Sequence, residues 1–84
     1  MERQGGEEPV DGLDRRTRQL IMIGVQAAGG NVPAVKAHAD LARAAGASWD
    51  EVVEAVVMQL HLSDLVSTLE CLQGAIDGYG QNLG

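Results

Sequence analysis

Residues 31–46 read NVPAVKAHADLARAAG, a stretch with a written start and a written stop. Asn31 is a favoured N-cap, Pro33 falls in the first turn where its missing N–H costs nothing, and Gly46 suits the left-handed residue that ends a helix. Ala34, Val35, Leu41, Ala42 and Ala45 recur at three- and four-residue spacings, which predicts a helix with these residues inward. Lys36, Asp40 and Arg43 share the other side. His38 falls with the apolar set, so its imidazole is either a working group or a core residue with a hydrogen bond.

Working outward, residues 1–12 carry Gly5, Gly6, Pro9 and Gly12 among scattered charges and read as a flexible arm. The helical domain spans 13–80, and 81–84 are expected to fray. A first helix is predicted from Leu13, with Asp14 near its N-terminus and Leu20, Ile23, Gly24, Ala27 and Ala28 as one apolar stripe. Ile21, Met22 and Val25 widen that stripe, and a helix apolar nearly all round is buried on more than one side. Gly29 and Gly30 end it.

Ser48-Trp49-Asp50-Glu51 fits a capping box and opens a third helix. The run EVVEAVVMQL is rich in β-branched residues, yet Val52, Val53, Val56, Val57 and Leu60 keep a helical period. His61 is then placed near that helix's C-terminus. Ser63 and Asp64 offer caps for a last helix, in which Leu65, Leu69, Leu72, Ile76 and Tyr79 form a narrow packing seam. Gly78 and Gly80 are expected to fray with the end, and Trp49 to pack over the turn before it. The expected fold is all-α, a small antiparallel bundle of about four helices.

With 84 residues the chain makes one small domain, burying roughly 60 to 65% of the surface its unfolded state exposes. There is no Phe, one Trp and one Tyr, so the core is built from Leu, Ile, Val and many Ala. Such thin cores are often completed by self-association. The single Cys71 rules out an internal disulfide, a CxxC redox pair and a cysteine-rich zinc site, and a cytoplasmic location is the default. No apolar run is long enough to cross a membrane, and the charged, Gly-rich N-terminus is unlike a signal peptide. A net charge of −6 argues against a nucleic-acid surface. The one basic cluster, Arg15, Arg16 and Arg18, reads first as a solvated face or a set of ion pairs. His38 and His61 lack a carboxylate or thiol at ligand spacing, so no metal is expected.

The segments RTRQLIMIGVQAA and VKAHADLARAAGASWDEVVEAVVMQ, followed by an apolar helix, resemble the carboxymuconolactone decarboxylase family, which includes the alkylhydroperoxidase D-like proteins. The second segment carries most of the likeness, a helix ending in AHxxxAxxAG followed at once by a capped helix. The resemblance implies an alkylhydroperoxidase D-like bundle completed as a homo-trimer or homo-hexamer. In the peroxidase branch a CxxC pair, a histidine and a glutamate form a relay. Those positions fall here on Asn31 and Ala34 for the cysteines, His38 for the histidine and Gln19 for the glutamate. Peroxide reduction by that route needs an attacking thiolate and a resolving thiol, and neither Asn31 nor Ala34 supplies sulfur.

The chain is thus similar to the cysteine-less branch, which implies a lyase or isomerase acting on a small lactone or oxo acid, with no cofactor and His38 as proton donor. Gln19 keeps the relay position without a proton to exchange near neutral pH. Asn31 and Arg18 are the ligand-binding candidates. The other reading is a non-catalytic oligomeric binding or assembly module that kept the fold. Cys71, flanked by Leu69 and Leu72, reads as a small buried apolar group.

Overall fold

The structure is a computed structural model and describes residues 14–80. The expected arm over 1–12 and tail over 81–84 lie outside the described residues. Four helices follow in order: α1 Arg15–Ala28, α2 Val32–Ala44, α3 Trp49–Val57 and α4 Leu65–Tyr79, with a short 3-10 turn at Leu60–Leu62 before α4. There is no strand among the described residues. None of these helices is long and apolar enough to cross a membrane.

Each helix starts on a side-chain cap. Asp14 Oδ1 accepts from the Thr17 N–H at 2.7 Å, Asn31 Oδ1 from Ala34 at 3.1 Å and Asp64 Oδ1 from Ser67 at 2.7 Å. At α3 the capping box closes both ways, with the Glu51 N–H donating to Ser48 Oγ at 3.1 Å and the Ser48 N–H to Glu51 Oε1 at 2.9 Å. A cap of this kind contributes about 1 kcal/mol, a large share for a small domain. At the other end of α2, Gly46 takes φ +97°, the left-handed turn its sequence position predicts.

Consecutive helices run in opposite senses, but the packing partners do not follow chain order. Along α2 and α4, Val32 meets Gly74 and, one turn on, Lys36 meets Gly78, so these two helices run in the same sense. Along α1 and α3, Arg16 meets Glu51 and Gly24 meets Ala55, so these run in the same sense too. The turn after α2 therefore carries the chain across the bundle, and the order around it is α1, α2, α4, α3.

The core is small-residue packing around a few branched side chains. Ile23, Val35, Val52, Val56 and Cys71 are fully buried, with Ala27, Ala39, Ala42, Ala47 and Ala75 between them. Alanines let backbones approach, and the approach is closest where α4 presents Gly74 and Gly78 to α2. Gly78, expected to fray, is instead held inside the last turn of α4. Tyr79 beside it donates its hydroxyl to the Ala47 carbonyl at 2.7 Å and packs its ring on Trp49, with centroids 5.4 Å apart. Trp49 thus meets the last helix.

Three expectations are corrected. The third helix ends at Val57, and Leu60, His61 and Leu62 form the 3-10 turn, so His61 is not at the end of α3. On α4 the inward face is Thr68, Cys71, Gly74 and Ala75, while Leu65 and Leu69 are 59% and 55% exposed. The apolar seam was read from the largest side chains, but the room beside α2 and α1 admits only small ones. On α2 the inward residues are Val35, Ala39 and Ala42, and Leu41 is left exposed. Packing against both α1 and α4 centres the buried face on Ala39, which moves His38 to its edge.

Candidate functional site around His38

The turn at Gly29 and Gly30 folds α2 back on α1, closed by the Asn31 N–H donating to the Gln26 carbonyl at 2.9 Å. Across this hairpin Gln19 of α1 and His38 of α2 come together. Gln19 Oε1 lies 2.6 Å from His38 Nδ1, a part-buried contact between side chains 19 positions apart. A carbonyl oxygen only accepts, so Nδ1 is the donor and carries the hydrogen. That leaves Nε2 as the ring nitrogen not engaged by Gln19.

Of the cations, two are committed elsewhere. The Arg16 guanidinium pairs with Glu51 Oε2 at 2.5 Å, and Arg43 pairs with Asp40 at 2.5 Å. Lys36 lines a groove with Asp40 and Asp77 on the α4 side of α2. Arg18 is exposed on α1. Arg15 precedes Gln19 by four residues, one helical turn along the same face of α1.

The other candidates take structural places. The Asn31 side chain caps α2, and Ala34, at the second cysteine position, is the residue whose N–H it binds. Cys71 is fully buried with its Sγ 4.0 Å from the Ala27 carbonyl, and desolvation, aided by the charge of Glu70, pushes its thiol up from its ordinary value. His61 lies in the 3-10 turn, whose Leu62 shares a groove with Ala28 at the far end of α1. Nine residues of helix, roughly 13 Å, separate that end from Gln19, so the two histidines are not brought together. Among the described residues no group of three or more His, Cys, Asp or Glu could hold a metal ion.

One feature escaped the sequence reading. An open apolar groove of about 650 Å³ runs between α1 and α3, walled by Leu20, Ile21, Val25, Ala55, Met58 and Leu62. Neither His38 nor Gln19 lines it. Ile21 and Val25 gave the signal, since they widened the α1 stripe beyond what one neighbour could cover.

The model of the carboxymuconolactone decarboxylase family matches residues 3–64. The chain belongs to the carboxymuconolactone decarboxylase family. The match takes in α1, α2, α3 and the 3-10 turn and closes at Asp64, so α4 lies beyond it. Both halves of the Gln19–His38 pair fall inside. Neither the curated proteins nor the solved structures offer a match to the chain.

Proposed function

We propose that this carboxymuconolactone decarboxylase family member is a cysteine-independent lyase or isomerase acting on a small lactone or oxo acid, with His38 as the proton donor. The observation that carries this reading is the Gln19 Oε1 contact to His38 Nδ1 at 2.6 Å, which fixes the ring and leaves Nε2 to exchange the proton. When a β,γ-unsaturated lactone acid loses carbon dioxide, the bonding pair stays on the substrate as a delocalised carbanion or enolate. The imidazolium Nε2–H would close that charge, and water would then reprotonate the ring. Arg15, one turn from Gln19, would hold the substrate carboxylate before the loss.

The test is a screen of small lactone and 2-oxo acids for carbon dioxide release, followed by Arg15→Gln on any substrate found. The reading expects Arg15→Gln to raise KM about tenfold or more through the lost carboxylate contact. An unchanged KM would remove Arg15 from the site.

A second reading, the oligomeric assembly module, has its own observation. The larger groove is apolar and stands apart from His38, which suits association better than chemistry. Absence of carbon dioxide release across the screen, together with stable self-association, would favour it.

A further inference from the structure

The α1/α3 groove is polar at one end and hydrocarbon at the other. The two helices run in the same sense, so Thr17, Glu51 and Glu54 fall at one end, and Val25, Ala28, Met58 and Leu62 at the other. Midway, Gly24 keeps the floor open, since a Cβ there would come 3.2 Å from Gln59 Nε2. From Thr17 to Ala28 the α1 wall is roughly 16 Å long. A volume of about 650 Å³ is of the size that takes a small organic molecule. The polar end carries one sign of charge, because no Lys, Arg or His lines the groove. Glu51 is paired with Arg16 and accepts from the Ser48 N–H. The Glu54 carboxylate is exposed and has no ion pair or hydrogen bond among the described residues.

We infer that the groove binds an amphipathic organic amine, with its ammonium on Glu54 and its hydrocarbon body laid along Ile21, Val25, Met58 and Leu62. The ammonium N–H groups donate to the Glu54 carboxylate, and the Thr17 hydroxyl at the same end offers a second acceptor. The hydrocarbon body covers side chains that are otherwise wet, with Val25 55%, Met58 59% and Leu62 63% exposed. A carboxylic acid of the same shape meets repulsion from Glu54 and finds no cation in the groove. No aromatic ring lines it either, so the charge is read by the carboxylate and not by stacking. The site is separate from the His38 chemistry, since neither Gln19 nor His38 lines it, and it gives the groove an occupant other than a second copy of the chain.

The experiment titrates octylamine, octanol and octanoate, matched in chain length and kept below micelle-forming concentrations, into the full chain at neutral pH, following methyl NMR signals. Octylamine should saturate with a dissociation constant of about 1 mM or below. It should shift Ile21, Val25, Met58 and Leu62 and leave Leu65 and Leu69, which are exposed on α4 outside the groove, unmoved. Octylamine should bind at least about threefold tighter than octanol and about tenfold tighter than octanoate, a gap that narrows with salt. Glu54→Gln should erase the preference, and Glu54→Lys should turn it towards octanoate. Met58→Ser should weaken octylamine binding about threefold or more by trimming the apolar half. Circular dichroism checks that each variant keeps its helices. Octanoate binding as tightly as octylamine, an order unchanged in Glu54→Lys, or shifts confined to residues outside the groove would each overturn the site. So would octylamine that fails to saturate, whether the groove stands empty or light scattering shows a second copy of the chain filling it.

Discussion

Gly78 of α4 lies so close to the backbone carbonyl of Lys36 in α2 that a Cβ at position 78 would stand inside that oxygen's van der Waals envelope. A turn earlier, a Cβ on Gly74 would come 2.9 Å from Val32 Cγ1 and 3.1 Å from the Val32 carbonyl oxygen. These two glycines set the distance between the helices.

A Gly→Ala change inside an exposed helix gains about 1 kcal/mol from propensity, so the sign of the effect is diagnostic. Gly78→Ala should destabilise by about 2 to 4 kcal/mol, because backbone must move. Gly74→Ala should cost less, since the Val32 side chain can turn aside. Urea unfolding of both variants checks the sign and the order.

Tyr79→Phe removes the donor to the Ala47 carbonyl while keeping the ring on Trp49. The expected loss is about 1 kcal/mol, the net value of one such bond, with little change in helix content. A thermal melt beside wild type measures it.

Acid should loosen the start of α3. The Ser48 N–H, and after it the Arg16 guanidinium, hold the Glu51 carboxyl below its ordinary value, and the Thr17 N–H does the same for Asp14. A depressed folded-state pKa stabilises the fold fully above the unfolded value, about 4.3 for glutamate, and that stability is lost as pH falls through the lower folded value. Melting temperature should therefore drop below about pH 4. Glu51→Gln, which keeps a capping side chain without a charge, should show a shallower drop over the same range. An identical slope would remove Glu51 from the account.

The buried thiol of Cys71 should react with an alkylating reagent only as fast as the chain opens, since both burial and its raised pKa keep the thiolate scarce. Labelling that speeds up with denaturant in step with unfolding is the expected result. Labelling at the rate of a free thiol in native buffer would contradict it.

What could be read from the sequence was local. The caps at Asn31, Ser48 and Asp64, the turn at Gly46 and the separation into four helices follow from residues within one turn of each other. What could not be read depended on who packs against whom. Leu65 and Leu69 look like a core seam until α4 is seen to lie on α2 through Gly74 and Gly78, which leaves the leucines outside. The end of α3 was similarly hidden, because Met58, Gln59 and Leu60 continue the helical pattern while the backbone tightens into a 3-10 turn. For the site, the resemblance named Gln19 and His38 as partners in a relay. Their contact, and the tautomer it selects, needed the antiparallel α1–α2 pair.

Central to the account is that His38 moves a proton and that Gln19 holds it in place to do so. The direct measurement compares wild type with His38→Gln, following carbon dioxide release from the best substrate of the screen together with the melting temperature. The glutamine keeps a polar contact with Gln19 and has no proton to give at neutral pH. Turnover should fall by about a hundredfold or more while the melting temperature stays nearly unchanged. Equal release by both proteins, or a variant that loses about 1 to 3 kcal/mol of stability with no activity to lose, would make His38 a structural residue.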